Sequence, residues 1–232
     1  MTRRTTALAA ALSLLPLGQP LPLGTTTALA TSAVVLSTLA ANAQSTDVHV
    51  DAGVEKSRSG DFKGAIDDFN KALVIDPKNA TAYYYRGLSK KELKDHKGAI
   101  RDFHKVLQIN PNHRYSYFSR GTSWMELNPE YAFFSGYHLA IKDFNRAIEI
   151  DPQYADAYNN RGIAKIKLGD YQGAISDYST IIRTDPKYNK AYINRGYAKK
   201  ELKDLKGACE DWKKAAELGD EDAAKLVEEH CQ

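Results

Sequence analysis

The sequence has few of the residues and motifs that usually mark catalytic or metal sites. It contains two cysteines among 232 residues, and they do not form a C-x-x-C motif. There is no G-x-S-x-G element, no phosphate-binding glycine loop and no H-E-x-x-H motif. The six histidines are dispersed without the short spacing of metal ligands. These absences argue against an enzyme and against a bound metal or other cofactor.

A strong excess of charge of one sign is also missing. The chain has 32 basic and 29 acidic residues, which gives a formal net charge of +3. Two of the positive charges, Arg3 and Arg4, belong to an N-terminal segment unlike the rest of the chain. The remainder is therefore nearly neutral, which disfavours nucleic acid or another generic polyanion as a partner.

Long apolar runs are missing even from this N-terminal segment. Prolines and glycines divide its apolar stretches, and neither stretch reaches the ~18 residues of a membrane-spanning helix. No acidic residue precedes Asp47, and Ala41–Ala43 has the A-x-A form of a cleavage site. We therefore predict a cleaved leader, residues 1–43, and export to the periplasm, the exterior or the thylakoid lumen. A membrane tether formed by an uncleaved leader is the alternative, and a Thr-rich organellar transit peptide is a further option.

What the rest of the chain does contain is one pattern that occurs five times. Residues 155–188 match residues 189–222 after a shift of 34 positions, and they match residues 80–113 and 46–79 in the other direction. A fifth copy, residues 114–154, fits once a seven-residue insertion is allowed in its middle. A fixed period of this size indicates repeated supersecondary units that stack on one another.

Each copy has the pattern of two helices. Apolar residues recur at helical spacing in Ala155–Leu168, and they form the stripe of a helix buried on one face in Tyr171–Arg183. Pro186 ends the second helix, because proline has no N–H and disfavours a helical residue before it. Gly162 and Ala174 are small where the two helices would cross, so the backbones can approach closely.

This pattern resembles the tetratricopeptide repeat family over residues 46–222. The landmark residues in two regular copies are Tyr83, Gly87, Ala99, Phe103, Val106 and Pro111, and Tyr158, Gly162, Ala174, Tyr178, Ile181 and Pro186. The resemblance implies an all-α fold, a right-handed superhelical solenoid of antiparallel helix pairs within residues 44–232. The expected parts are five repeats, a C-terminal capping helix and one insertion: residues 46–79, 80–113, 114–154 with the insertion, 155–188, 189–222 and the cap at 220–231.

Charged residues also recur at fixed places in the repeats. An aspartate occupies the same place in every second helix: Asp68, Asp102, Asp143, Asp177 and Asp211. An arginine stands where the family usually has leucine, but only in the last four copies: Arg86, Arg120, Arg161 and Arg195. Because the first copy has the aspartate without the arginine, we predict pairs between successive repeats, beginning with Asp68–Arg86. Pairing within repeats is the alternative, and it would leave Asp68 without an arginine.

The insertion in the third copy adds aromatic residues, Tyr131, Phe133 and Phe134. Insertions in repeat proteins emerge as loops on one face and often bind partners. One interpretation is therefore a docking site for a partner at residues 129–137. The other is that these residues fold back over the helix pair or extend its helices.

The two cysteines are placed symmetrically about a predicted turn. Cys209 lies in the last repeat helix and Cys231 ends the capping segment, each eleven residues from Asp220. An antiparallel hairpin centred at this turn brings the two level, so we predict a Cys209–Cys231 disulfide. Closing such a loop would contribute roughly 3 kcal/mol. In a reducing compartment the two residues would instead be free thiols.

The family resemblance also implies a concave wall, built from first-helix side chains around the landmark glycine, that binds a protein or peptide. The residues in this register include Tyr84, Tyr115, Phe118, Asn159, Asn160, Lys190, Asn194 and Tyr197. Aromatic rings would supply contact area and the amides would bond to a peptide backbone. The predicted function is an exported adaptor that helps to assemble or secrete a complex. The alternative is a self-associating structural module that uses residues 129–137.

Overall fold

The computed structural model of the chain describes residues 44–127 and 133–231, and for residues 133 and 134 it describes the backbone only. Within these ranges every regular element is an α-helix. The helices are residues 44–58 (α1), Phe62–Ile75 (α2), Ala80–Glu92 (α3), His96–Ile109 (α4), Arg114–Glu126 (α5), Phe133–Ile150 (α6), Ala155–Lys167 (α7), Tyr171–Thr184 (α8), Asn189–Glu201 (α9), Leu205–Glu217 (α10) and Glu221–His230 (α11).

The helices form a solenoid of antiparallel pairs, as the repeat pattern predicted. From α2 onward each helix packs against the next one along the chain. The first helices of successive repeats also touch one another, in the order α3, α5, α7 and α9. These four helices therefore form a continuous inner layer, and the second helices of the repeats lie outside it.

Each helix pair crosses where a glycine on the first helix meets an aromatic ring on the second. A Cβ atom added to Gly87 would lie 2.8 Å from the ring of Phe103, and one on Gly162 would lie 2.6 Å from the ring of Tyr178. Real Cβ atoms do not approach other carbon atoms this closely. The landmark glycine is therefore required for packing, which explains why it recurs in every copy.

The second helix of a regular repeat begins at an aspartate N-cap. The carboxylate of Asp95, for example, accepts a hydrogen bond from the backbone N–H of Gly98 at 2.9 Å. A Cβ atom on that glycine would lie 2.0 Å from the same carboxylate, so the D-x-x-G sequence is one capping unit. The same bond recurs in the first, fourth and fifth repeats: Asp61 to Gly64, Asp170 to Gly173 and Asp204 to Gly207.

The recurring arginines and aspartates pair within repeats, so the predicted pairing between repeats is wrong. Arg86 donates from Nε and Nη2 to Asp102, at 2.9 and 2.7 Å, and not to Asp68. The pairs Asp102–Arg120, Asp143–Arg161 and Asp177–Arg195 are replaced in the same way by Arg120–Asp143, Arg161–Asp177 and Arg195–Asp211. The helix crossing explains this: the arginine precedes the landmark glycine and the aspartate precedes the ring that covers it, so the two face each other.

The arginines still connect successive repeats through their third nitrogen atom. Nη1 of Arg86 donates to Asn70 on the preceding second helix at 2.6 Å. The equivalent contacts are Arg120 with His104, Arg161 with Asn145 and Arg195 with Ser179. In the first repeat, Asp68 binds Lys56 at 2.6 Å and Lys71 at 2.9 Å in place of an arginine. Each arginine therefore sets both the crossing within its repeat and the stacking on the previous one.

A lysine one turn after the arginine position completes the network in four repeats. Lys90 binds Asp102 at 2.7 Å. In three other repeats the equivalent lysine binds the aspartate of its own repeat, in the pairs Lys56–Asp68, Lys165–Asp177 and Lys199–Asp211. The third repeat has Trp124 at this place. Its buried aspartate, Asp143, is held by Arg120 and by the indole of Trp124. Burial raises the pKa of Asp143 above its ordinary value, because these two partners do not fully offset the lost hydration.

The insertion lengthens the second helix of the third repeat. Helix α6 has 18 residues, whereas α4 has 14. The extra turn packs closely on α5, because a Cβ atom on Gly136 would lie 2.8 Å from the backbone oxygen of Trp124. Tyr131 and the side chains of Phe133 and Phe134 lie outside what the structure describes, so the docking interpretation of the insertion stays a prediction.

The C-terminal end is closed by α11 and a disulfide. Cys209 on α10 and Cys231 after α11 form the predicted pair, with a Cα–Cα distance of 5.6 Å. Ala223 of α11 is fully buried, and the ring of His230 lies 5.7 Å from that of Trp212. Helix α11 therefore covers the last repeat, as expected of a solenoid cap.

Candidate functional site

The inner layer of first helices presents two clefts, one near each end of the wall that the sequence predicted. The cleft between α3 and α5 has a volume of about 480 Å³, and the one between α7 and α9 a volume of about 490 Å³. Tyr115 in the first and Tyr197 in the second are 43% and 41% exposed. Tyrosines with this exposure are available to contact a partner, and we call the two sites the aromatic cleft and the mixed cleft.

No charged side chain is found among the described residues that line the aromatic cleft. Its lining includes Thr81, Tyr84, Tyr85, Asn110, His113 and Tyr115. The ring of His113 lies 5.0 Å from that of Tyr84 and 6.0 Å from that of Tyr115, in edge-to-face contacts. Edge-to-face pairs stabilise a defined orientation of the rings. The cleft is therefore a preformed aromatic surface.

His113, which contacts both tyrosine rings of the aromatic cleft, is itself fixed in position at the start of α5. Its Nδ1 accepts a hydrogen bond from the backbone N–H of Ser116 at 3.2 Å, so the histidine is the N-cap of the helix. Burial lowers the pKa of His113 below its ordinary value. A neutral ring is also what the cap needs, because a protonated Nδ1 cannot accept a hydrogen bond.

Aromatic contacts continue from the cleft along the inner wall. Tyr154 lies 6.0 Å from Tyr115 and 5.1 Å from Phe118, and Phe118 lies 5.9 Å from the buried ring of Phe144. Arg114 stacks over Tyr115 at 4.6 Å and binds Asp151 at 3.1 Å, so its charge is paired. The sequence placed Phe118 on the wall, and the structure shows it half-buried between the two clefts.

The mixed cleft combines an apolar floor with charged and amide groups at its edges. Its lining includes Ile163, Ile166, Lys167, Asn194, Tyr197 and Glu201. The Nδ2 atom of Asn194 donates to Oδ1 of Asn159 at 3.2 Å, which links α9 to α7. The cleft therefore offers apolar contact area together with hydrogen-bonding groups that are held in place.

The eight residues predicted for the groove do not all meet. Tyr84 and Tyr115 line the aromatic cleft, Asn194 and Tyr197 line the mixed cleft, and Phe118 and Asn159 lie along the wall. The other two line neither cleft. Asn160 donates to the backbone oxygen of Asp156 in its own helix at 2.9 Å, and Lys190 has an exposed side chain at the start of α9.

Among the wall residues that the sequence did not predict, His113 and Tyr154 come from the turns between repeats. Both are the N-cap residues that directly precede a first helix, α5 and α7. The predicted wall consisted of helix side chains alone, whereas residues of the turns between repeats also contribute to it. Their position immediately before the helix, where the regular repeats carry Asn79 or an aromatic residue, is the signal that would have found them.

Residues 44–127 and 133–231 contain no group of three or more histidine, cysteine, aspartate or glutamate side chains that could hold a metal ion. Among the helices with described residues, none is long and apolar enough to cross a membrane.

Comparison with known proteins agrees with the repeat architecture. The profile of the family described as "TPR repeat" matches residues 58–94 and 137–169, and that described as "Tetratricopeptide repeat" matches residues 80–113 and 155–188. No curated protein sequence matches the chain. Solved structures do match, and the matches cover most of both chains.

Three of these structures illustrate the similarity. MamA is 27% identical, with a TM-score of 0.69 over 76% of this chain and 92% of its own. MamA residues 41 to end from Desulfovibrio magneticus RS-1 is 21% identical, with a TM-score of 0.69 over 75% and 94%. YrrB, described as a TPR protein with an unusual peptide-binding site, is 22% identical, with a TM-score of 0.67 over 78% and 90%. The last two show the fold alone.

The helix pairs, the ring-on-glycine crossings and the two family profiles all point to the same conclusion. Stacked repeats of this kind are interaction scaffolds that present an extended surface to other proteins. The chain belongs to the tetratricopeptide repeat family.

Proposed function

We propose that the protein is an adaptor that binds an extended segment of a partner protein along its inner wall. The observation that carries this proposal is the pair of clefts on one wall, the aromatic cleft and the mixed cleft. Ring contacts through Phe118 and the Asn159–Asn194 bond lie between them, so both clefts are built into one layer of helices. A single segment that occupies both clefts would bind more tightly than one that occupies either, because the entropy of association is lost only once.

The chemistry of the clefts defines the segment that fits. The aromatic cleft has no charged side chain and favours an apolar or aromatic residue. The mixed cleft favours an apolar residue next to polar or charged ones, because Lys167 and Glu201 stand beside its isoleucine floor. Asparagine side chains can both donate to and accept from a peptide backbone. The partner segment is therefore extended, and its apolar residues alternate with polar ones.

The comparisons support a binding role, and the sequence supplies the proposed compartment. YrrB is described as a TPR protein with an unusual peptide-binding site, and the two proteins share the same fold. The leader, residues 1–43, has the layout of an export signal, and an exported protein can keep the Cys209–Cys231 disulfide. We place the adaptor outside the cytoplasm, where it assists the assembly or secretion of a complex.

The test is capture of partners from the native host by protein that begins at Gln44. The groove variant is Tyr115→Ala/Tyr197→Ala, and its control is Val74→Ala/Leu205→Ala, which truncates two exposed apolar residues outside both clefts. We expect the wild type and the control to capture the same partner and the groove variant to lose it. Equal capture by all three proteins would exclude the groove as the binding site. No partner, together with a particle mass that rises with concentration, would show a self-associating module.

A further inference from the structure

The outer face of the second repeat carries a stripe of unpaired positive charge. Lys97, Arg101 and Lys105 lie four residues apart on α4, which places them on one face of the helix. All three are exposed, and none forms an ion pair with any residue that the structure describes. Lys142, exposed on the neighbouring α6, extends the surface. We call these four residues the outer cationic surface.

The other repeats show that the fold does not require this stripe. The three equivalent positions are Lys63, Asp67 and Lys71 in the first repeat, Gln172, Ser176 and Thr180 in the fourth, and Lys206, Glu210 and Lys214 in the fifth. Among these, Lys71 binds Asp68 and Lys214 binds Glu217, both at 2.9 Å. Elsewhere the stripe is thus neutral, mixed in sign or paired. In the third repeat the positions hold His138, Lys142 and Arg146, and Arg146 binds Glu149. Among the described residues, only the second repeat therefore has lysine or arginine at all three positions with no ion pair.

A cleft lies beside the stripe and makes this part of the surface concave. Arg101 and Lys105 line a cleft of about 480 Å³, together with cations of the buried network such as Arg86 and Arg120. Asp102 is the acidic residue of the lining, and it is 3% exposed and already bound by Arg86 and Lys90. The electrostatic potential in the cleft is therefore positive. A carboxylate that enters the cleft can accept hydrogen bonds from the basic side chains of the lining, because the one acidic side chain described there is already buried and paired.

The cleft also has an apolar wall, and one residue of it departs from the repeat pattern. Tyr83, Ile100 and Trp124 contribute this wall. Trp124 occupies the place where the other four repeats have the lysine that binds the buried aspartate. Its presence gives up one ion pair to Asp143 and adds a large aromatic surface to the cleft. The loss of this ion pair weakens the charge network of the third repeat. Binding of a partner to the added aromatic surface would offset that loss.

We propose that the outer cationic surface and its cleft bind an acidic segment of a partner protein that carries one large apolar side chain. The apolar residue enters the cleft beside Trp124, and the flanking carboxylates meet Arg101 and Lys105. This site is built from the exposed stripe of α4 and from residues of α3 and α5 that face α4, and it shares no lining residue with the aromatic or the mixed cleft, so the protein can hold two segments at once. A flat membrane fits less well, because the apolar wall lies within a cleft. A long nucleic acid also fits less well, because Lys97 and Lys105 are eight residues apart, a rise of only about 12 Å along the helix axis.

The experiment uses two short fluorescent peptides and the chain from Gln44. One peptide has alternating Asp and Glu around a central Trp, and the other has Asn and Gln in place of the acids. We expect the acidic peptide to bind, the amide peptide not to bind, and the affinity to fall as salt is raised. Equal binding of both peptides would overturn the proposal. So would binding to phosphatidylserine vesicles or single-stranded DNA with none to the acidic peptide.

Two variants with a matched control locate the site. Arg101→Glu/Lys105→Glu reverses two charges in the stripe, and Lys206→Glu/Lys214→Glu makes the same change in net charge in the fifth repeat. We expect a loss of about tenfold or more for the first and little change for the second, because the loss follows local charge complementarity. Trp124→Lys should also weaken peptide binding while the helical content is kept. An equal loss in the control variant, or full binding by Trp124→Lys, would contradict the proposed site.

Discussion

One aromatic residue in each repeat covers the landmark glycine at the helix crossing. In the fourth repeat this residue, Tyr178, lowers the stability of the folded state. The rings that cover the landmark glycines are Phe69, Phe103, Phe144, Tyr178 and Trp212. The indole N–H of Trp212 donates to the backbone oxygen of Ile193 at 3.3 Å. The hydroxyl of Tyr178 is buried and has no hydrogen-bond partner among the described residues. Burial accordingly raises the pKa of Tyr178 far above its ordinary value.

We expect Tyr178→Phe to stabilise the protein, by about 1 kcal/mol, because it removes a buried polar group that has no partner. Three other repeats already use phenylalanine at this place, so the ring fits the crossing. The measurement is the midpoint of urea unfolding followed by circular dichroism. Tyr192→Phe is the control, since the hydroxyl of Tyr192 donates to the backbone oxygen of Pro186 at 3.3 Å. A lower midpoint for Tyr178→Phe than for the wild type would contradict this account.

The turn after the first helix of a repeat imposes another residue-scale constraint. Gly60 and Gly169 adopt a φ of 86° and 80° there, and Lys94 and Lys203 adopt 62° and 66° at the same place. A residue with a side chain is strained in this left-handed region, whereas glycine is not. The sequence pattern alone did not reveal that two lysines stand at a position that favours glycine.

We expect Lys94→Gly to raise the free energy of unfolding by about 0.5 to 1 kcal/mol through release of this strain. The control is Lys91→Gly in the last turn of α3, which we expect to destabilise by about 0.5 to 1 kcal/mol because glycine is a poor helix former. Both are read from the same urea-unfolding midpoint. Destabilisation by Lys94→Gly would show that the lysine side chain contributes more than its backbone conformation costs.

At the scale of the helix, the start of α5 depends on the protonation of its histidine cap. Burial lowers the pKa of His113 in the folded protein. The cap therefore contributes its full stability above the ordinary histidine pKa of 6.5, and this contribution is lost as the pH falls below that value. Asn79, the N-cap of α3 in the preceding repeat, does the same work without a titrating group: its side chain accepts from Ala82.

We expect His113→Asn to reduce the loss of stability between pH 7.5 and pH 5, since an asparagine cap is independent of pH in this range. A cap bond contributes about 1 kcal/mol, which sets the size of the effect. The measurement is the difference between unfolding midpoints at the two pH values. His49→Asn, which changes a histidine outside the cap, is the control and should keep the wild-type difference. An unchanged difference in His113→Asn would exclude the cap as its source.

The helix pair α5 and α6 is where the charge network is weakest. Asp143 is 4% exposed and has no lysine partner among the described residues, and burial is the main cause of its raised pKa. A carboxylate with a raised folded pKa destabilises the folded state once it is ionised, so its cost appears as the pH rises above the ordinary value of 3.8. Asp68 is the opposite case: bonds to Lys56 and Lys71 lower its pKa, and its stabilisation is lost as the pH falls below 3.8.

We expect Trp124→Lys to supply the missing partner of Asp143 and to lower the pKa of that carboxyl. The stability of the variant relative to the wild type should therefore increase as the pH rises from 3.8 through the raised pKa of Asp143. The measurement is the unfolding midpoint from pH 4 to pH 7. Leu127→Lys, which places a cation at the C-cap of the same helix three residues further on, is the control. A constant difference across this range would show that the new lysine does not reach Asp143.

At the scale of the whole molecule, the sequence predicted the architecture because it is periodic. A shift of 34 residues that restores Gly, Ala and an aromatic in register defines the helix pairs, and the turn at Asp220 brought Cys209 and Cys231 level. Periodicity does not show which of two residues, one before and one after it at similar sequence distance, a side chain faces. Asp68 and Asp102 flank Arg86 at nearly equal sequence distance, and only the ring-on-glycine crossing decides for Asp102.

The groove shows the same division between pattern and geometry. Register placed Tyr84, Tyr115, Asn194 and Tyr197 on the inner wall, because the residues that face one side of a helix follow from its period. It did not place His113 and Tyr154, which enter the wall from the turns between repeats. Asn160 was in register but bonds to its own helix, since the short amide reaches the backbone oxygen of Asp156 before it reaches the cleft.

The central claim is that a partner segment lies along the inner wall and spans both clefts. The direct measurement is site-specific photo-cross-linking in the native host, with a benzophenone side chain in place of Tyr115, Tyr197 or Val74. We expect the two groove positions to cross-link to one partner, at sites a few residues apart in its sequence, and Val74 to give no such product. Cross-links from Val74 with none from Tyr115 or Tyr197 would contradict the account, and cross-links from all three to this same chain would show self-association.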